Sequence, residues 1–258
     1  MTRPRVLNGG FDSLTLTETV DWAATWIRNG GRGYLCTVNV AVLMMMRQDR
    51  RLQRIVDHAA LVVADGQPIV WASRLADRPL PERVAGIDLV DALAARATRE
   101  GFGVYLLGAR RPVVEEAARR LRAAHPGLSI CDVADGYFGA AQARERARAV
   151  RRSGAQLLLI GMGVPRQEFF LEEQWAELGV NLAVGVGGSF EVLAGVRRRA
   201  PHWCQRSGLE WFWRLAQEPR RLGPRYLVTN TQFVRAVLPE LFLPHVRPSR
   251  SAARMPPA

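Results

Sequence analysis

Short apolar runs alternate with longer, charge-bearing stretches through most of this chain, and four of the runs close on small or polar residues: Asn39, Asp65-Gly66, Gly108 and Gly161-Met-Gly163. The runs are too short for amphipathic helices, and the stretches between them carry apolar residues at helical spacing. That order is the signature of an α/β domain with a mainly parallel sheet. The pattern predicts strands at Tyr34–Asn39, Ala60–Ala64, Val104–Leu107, Leu128–Val133, Gln156–Ile160 and Asn181–Val186. It predicts helices at Val113–Ala124, Ala141–Arg152 and Gln167–Leu178, with Pro112 and Pro165 where a first helical turn tolerates proline.

From about Arg197 the alternation stops. Two helix-like segments follow, Trp203–Gln217 and Arg225–Leu243, with no strand between them. The reading is therefore an α/β domain over 1–196, a helical basic appendage over 197–243, and a Pro/Ser/Arg tail over 244–258 expected to be disordered. The 258 residues are 48% hydrophobic, enough for a sizeable core.

Charge divides the chain at the same place. Of a net +12, residues 197–258 hold twelve arginines against three acids, and the first 196 hold twenty-four against twenty-one. The late arginines are interleaved with Trp203, Trp211, Phe212 and Trp213. Cations beside aromatic surface suit an anion next to something apolar: a nucleotide diphosphate, an acidic membrane surface, or both.

Several classes fall away. The longest purely apolar run, Val40–Met46, is far short of the roughly 18 residues that span a bilayer. Met1–Gly10 is polar and leads into no signal-peptide core, so the expectation is a cytoplasmic protein. Cys36, Cys131 and Cys204 form no C-x-x-C pair and read as core thiols. All 36 basic residues are arginine, which excludes a P-loop lysine and Schiff-base chemistry. There is no D-x-D, H-E-x-x-H or G-x-S-x-G, and His58, His125, His202 and His245 are scattered. Metal catalysis and serine hydrolysis are not expected.

Ligands of open parallel sheets bind beyond the carboxyl ends of the strands, so the strand ends hold the candidates. Asp65, after Leu-Val-Val-Ala, is placed as a general base, though Asp-Gly is also a common turn. Thr37 and Asn39 fall on one face of their strand and suit sugar hydroxyls; the alternative for Asn39 is a helix N-cap. Gly161–Glu168 and Gly185-Val-Gly187-Gly188-Ser189 each resemble half of a dinucleotide fingerprint, with glycines that let the backbone approach phosphates, or are tight strand-to-helix turns. Arg214, Arg221 and Arg225 flank Glu218-Pro219 as an anion site or a solvated basic face.

Together these segments resemble the WecG/TagA/CpsF family of bacterial glycosyltransferases. The resemblance runs from about Tyr34 to Phe233 through Thr37-Val-Asn39, Ala64-Asp-Gly66, Glu82-Arg-Val-Ala-Gly-Ile-Asp88, Tyr105-Leu-Leu-Gly108, Gly136-Tyr-Phe138, Gly161-Met-Gly-Val-Pro-Arg-Gln-Glu168, Gly185-Val-Gly-Gly-Ser-Phe190, Arg199-Ala-Pro201, Gly208-Leu-Glu-Trp211, Arg214-Leu-Ala-Gln-Glu-Pro219 and Arg225-Tyr226. It implies a Rossmann-like domain with an appendage that completes the site at the inner face of the cytoplasmic membrane. It implies inverting, metal-independent transfer, without a cofactor, from a UDP-sugar to a glycan on polyprenyl diphosphate. The sugar is N-acetylmannosamine, its uronic acid, or glucose in different members. By the same resemblance Asp65 is the base, and Thr37, Asn39, Arg83, Gln167, Gly187 and Gly188 line the substrate pocket. Arg214, Arg221 and Arg225 hold the UDP diphosphate. The chain departs from the family pattern with Val38 in place of proline, Arg166 in place of lysine and Glu191 in place of aspartate.

Two rival classes share some of these features. A pI near 11 with arginines among tryptophans also fits a nucleic-acid-binding protein. The glycine-rich strand ends also fit a nicotinamide-dependent oxidoreductase, although no fingerprint is complete. The amphipathic aromatics allow either membrane contact or a homo-oligomer.

Overall fold

The computed structural model describes residues 3–206, 208, 210–217 and 219–242. A short antiparallel ribbon, β1 (Arg5–Val6) and β2 (Gly9–Gly10), comes first. The alternating part follows as α1 (Leu16–Arg28), β3 (Gly33–Val38), α2 (Val40–Gln48), α3 (Arg50–His58), β4 (Leu61–Ala64), α4 (Gln67–Leu75), α5 (Gly86–Glu100), β5 (Val104–Gly108), α6 (Arg111–Ala124), β6 (Ile130–Ala134), α7 (Ala140–Arg152), β7 (Leu157–Gly161), α8 (Arg166–Leu178), β8 (Leu182–Gly185) and α9 (Ser189–Leu193). Three helices close the described chain: α10 (His202–Arg206), α11 (Glu210–Gln217) and α12 (Pro219–Phe242).

β3 to β8 form one six-stranded sheet in the order β4-β3-β8-β7-β5-β6, every pairing parallel. This is a Rossmann-like α/β fold. Parallel strands need helical crossovers, and those cover both faces of the sheet. Leu35, Leu61, Val63, Leu106, Leu159 and Val184 face α1, α5, α6 and α9. Their alternate neighbours face the other layer, where Cys36, Val38 and Val62 meet α2, α3 and α4, and Leu107, Leu158 and Ile160 meet α7 and α8. Being covered twice, β4, β7 and β8 are buried along their whole length. All six strands expected from the sequence are present, within one or two residues at each end.

Side chains fix where the helices begin. Thr15 and Glu18 form a capping box at α1, the Asn39 carboxamide accepts from Val42 N at α2, and Asp49 accepts from Arg51 N and Leu52 N at α3. Asn39 is thus a helix cap and not the last strand residue. β5 and β7 end where Gly108 meets Gly161. A Cβ on Gly108 would lie 2.4 Å from the Gly161 backbone, so only glycine permits that approach.

Two expectations require correction. Cys131 is exposed, whereas Cys36 and Cys204 are buried. β6 is an edge strand, and its central side chains Cys131 and Asp132 face outward. In the C-terminal part, the single segment expected at Trp203–Gln217 is two helices, α10 and α11. α12 starts at Pro219, six residues before the expected start, and passes through Gly223-Pro224. Pro219 at the first helical position loses little, because first-turn amides have no helical partner, whereas Pro224, the sixth residue, forfeits the bond its amide would have donated to the Arg220 carbonyl. The segment 244–258 lies outside the described residues.

α12 is joined to the α/β body by apolar packing. Phe233 is buried in the same cluster as Val40, Leu43 and Met44 of α2. Phe233→Ala is expected to destabilise the protein by about 3 kcal/mol and to expose α12 to limited proteolysis. Urea unfolding and a timed protease digest check both.

Candidate active site

A cavity of about 700 Å³ opens at the carboxyl ends of β3 and β4, beside the loop that follows β8. Its floor is built by hydrogen bonds that outlast the strands. Asp65 N donates to Val38 O at 2.9 Å, and Val84 N donates to Ala64 O at 2.9 Å. The first bond holds Asp65 beside Asn39. The second brings the loop before α5, and with it Arg83, to the same edge. Asp65, Asn39 and Arg83 all line the cavity, as does Gly188.

Two further walls draw on the chain beyond residue 190. Arg197, Arg198 and Arg199 line the side next to Gly188. That segment is held at several points. Arg197 N donates to Glu191 O, Arg198 exchanges backbone hydrogen bonds with the Gln217 carboxamide, and Arg199 pairs with Asp88 of α5. The remaining wall is apolar: Trp71 and Leu75 of α4, with Phe233, Val234, Val237 and Leu238 of α12. Trp71, Leu75, Val234 and Leu238 are also substantially exposed. The cavity therefore joins two carboxylates, Asp65 and Glu210, with four arginines and a greasy flank.

Arg83 is held as well. It forms an ion pair with Glu210 of α11 at 2.5 Å, with both side chains largely buried. This pair ties the first residue of α11 to the cavity floor.

The other expected residues fall into three groups. Thr37 is buried under the cavity and not on its wall, and its hydroxyl donates to Gly185 O at 2.8 Å. Gln167 is buried behind the glycine loop, where its Oε1 accepts from Gly187 N at 3.3 Å and its Nε2 donates to Glu168 Oε1 at 2.8 Å. Gly187 has φ +53°, a left-handed conformation suited to glycine, and delivers Gly188 to the cavity. Arg214 lies in α11 and Arg221 and Arg225 in α12, and their side chains lie outside what the structure describes. Of Thr37 and Asn39 only Asn39 reaches the cavity wall, and both side chains are engaged with backbone.

The sequence reading did not single out Arg197 and Arg198 as site residues, took Arg199 only as part of a motif, and did not anticipate the Arg83–Glu210 pair. The signal was present in three successive arginines without a nearby acid in sequence. What could not be read was that α11 folds against this run from one side while Gly188 faces it from the other.

Glu168 stands apart electrostatically. Burial pushes its carboxyl up to about 7, and the Gln167 hydrogen bond only partly offsets that effect. Among the described residues, no three His, Cys, Asp or Glu side chains are grouped so as to hold a metal ion.

A strand-end carboxylate in an arginine-lined cavity at the edge of a Rossmann-like sheet suits a group-transfer enzyme, and sequence similarity makes this one a glycosyltransferase. The family model described as "Glycosyl transferase WecG/TagA/CpsF family" matches residues 4–246, so the chain belongs to that family. It is 32% identical over 224 residues to the N-acetylglucosaminyldiphosphoundecaprenol N-acetyl-beta-D-mannosaminyltransferase of Bacillus spizizenii (strain ATCC 23059 / NRRL B-14472 / W23), a match covering 86% of each chain.

Two outcomes follow from the geometry. Arg83→Ala removes a cation from beside a buried carboxylate and is expected to cost about 3 kcal/mol. Adding Glu210→Ala should restore part of that loss in urea unfolding. For Glu168, the native state holds a proton between about 4.5 and about 7 that the unfolded chain has released. Its contribution to stability therefore falls as pH rises through that window and levels off above it, by an amount on the order of 3 kcal/mol. Glu168→Gln should remove this slope, which unfolding midpoints of both proteins from pH 4 to pH 8 would reveal.

Proposed function

We propose that this chain is an inverting, metal-independent transferase that moves a sugar from a UDP-sugar to a glycan carried on polyprenyl diphosphate. The observation that carries the reading is the cavity itself, in which Asp65, Asn39 and Arg83 share one space with Arg197–Arg199 and the apolar flank of α4 and α12. The related mannosaminyltransferase is named for an acceptor of that type, and an N-acetylmannosamine-type donor is the first choice, with glucose second.

Asp65 acts as the base in this reading. Its carboxylate takes the proton of the acceptor hydroxyl as that oxygen forms a bond to the anomeric carbon. The bond from that carbon to the UDP oxygen breaks on the opposite face, which inverts the centre. The departing diphosphate gains negative charge, and the guanidinium groups at the cavity compensate it. Arg197, Arg198 and Arg199 join Arg214, Arg221 and Arg225 as candidates for that role. Asn39 suits a sugar hydroxyl only with the lone pairs and N–H groups left over from its helix cap.

Residues 197–243 serve in this reading as the appendage that closes the site. The apolar flank suits an isoprenoid chain. Exposed Trp203, Phe212 and Val228 on α10, α11 and α12 suit the inner face of the cytoplasmic membrane. Among the described residues no helix is long and apolar enough to cross a membrane, so the contact proposed is peripheral.

UDP release is the test, measured over a panel of UDP-sugars without added metal, with and without a polyprenyl-diphosphate-linked acceptor. One donor should give acceptor-dependent release. Asp65→Ala should lower it by about 10²- to 10⁴-fold while UDP affinity stays within a few fold. Near wild-type turnover in that variant would remove Asp65 as the base.

A further inference from the structure

We propose that Glu168 is a positioning residue for the glycine loop, acting through Gln167 to fix how Gly187 and Gly188 present their backbone to the cavity. The proposal rests on the glycosyltransferase reading only for the identity of the ligand; the loop anchor is a property of the fold.

Glu168 is 3% exposed and Gln167 is 1% exposed. One carboxylate oxygen of Glu168 accepts from Gln167, and the other, fully buried, has no hydrogen-bond partner among the described residues. Burying a carboxyl group with half its acceptors unused costs free energy that an apolar residue of similar size would not. Stability does not account for it, whereas orientation does.

A carboxamide can sit either way round in the same space, and its partners decide which way. An ionised carboxylate only accepts, so the Gln167 Nε2 must face Glu168. The Gln167 Oε1 must then face the other way, which is where Gly187 N–H lies, 3.3 Å off. The amide is packed closely on the end of β8, since a Cβ on Gly185 would lie 2.6 Å from Gln167 Nε2. Gly187 adopts φ +53° and Gly188 follows on the cavity wall. The chain of contacts runs without a gap from a buried carboxylate to the surface that meets the ligand.

Protonation changes this logic, since a neutral carboxyl can donate and thereby permit the amide to reverse. Burial sets that change at about 7. The titratable groups around Glu168 are Cys36 and Tyr34 of β3 and, one turn along α8, Glu172, which is paired with Arg51 of α3; Arg3 acts on Cys36 from the N-terminal segment. Burial pushes the Cys36 thiol and the Tyr34 hydroxyl up, so neither ionises near neutrality.

The experiment compares the full-length wild type, Glu168→Ala and Glu168→Gln by amide hydrogen exchange over 185–188 and by calorimetric titration with UDP. In Glu168→Ala the Gly187 amide should exchange about tenfold faster, and UDP should bind about tenfold more weakly. Glu168→Gln keeps an acceptor oxygen but, like the neutral carboxyl, can also donate, so it should fall between wild type and Glu168→Ala on both. The ratio of wild-type to Glu168→Gln affinity should fall as pH drops through about 7. Unchanged exchange in Glu168→Ala, or equal damage in the two variants, would overturn the proposal. If Glu168→Ala does not fold, Gln167→Ala removes the same acceptor from Gly187 and must speed its exchange. Absence of UDP binding by the wild type would count against the UDP-sugar donor, and the exchange result would still decide the role of Glu168.

Discussion

Six strands hydrogen-bonded in parallel put all their carboxyl ends on one edge of the sheet, and every other feature of the site depends on that. Val38, Ala64 and Gly185 end neighbouring strands. The residues that follow them, Asn39, Asp65 and the loop to Gly188, are brought together although they span most of the α/β region. The ladder also explains why Thr37 and Gln167 are buried: both brace the strand ends and the loop from beneath, through Gly185 and Gly187. A cavity whose floor is made of helix caps and strand ends has its backbone dipoles held in place by hydrogen bonds.

The distribution of arginine has two physical meanings in this protein. On the helices of the α/β region, arginines pair along their own faces, as with Arg111 and Glu115 or Arg119 and Arg120 with Glu116. Such exposed pairs contribute little to stability and mainly keep the surface soluble. After residue 196 local acids are scarce, and Arg197, Arg198 and Arg199 line a concave, partly apolar space. A flat basic face would suit a nucleic acid backbone. The cavity these arginines line is concave, holds two carboxylates and has an apolar flank, all of which a flat basic face lacks.

Buried ionisable groups mark the places where the fold gives up stability for geometry. Arg83 with Glu210 ties the C-terminal helices to the floor of the cavity, and Glu168 with Gln167 ties the glycine loop to α8. Apolar substitutes would pack at lower cost in both places. They would not define an orientation.

The sheet was legible in the sequence because a parallel strand buried on both faces must be a short, nearly continuous apolar run, and such runs stand out against amphipathic helices. Asp65, Asn39 and Gly188 were legible for a related reason, since strand ends can be found without knowing which strands are neighbours. Strand order could not be read, because β3 pairs with β8 across some 150 residues and local sequence has no term for that contact. For the same reason the sequence did not reveal that Thr37 turns to Gly185, that Cys131 faces outward on an edge strand, or that three consecutive arginines form a wall. The start of α12 was misplaced because proline reads as a helix boundary, whereas this helix runs through Pro224. Local chemistry and periodicity set which residues stand at the ends of strands; only the packing of α4, α11 and α12 across those ends decided which of them face the same space.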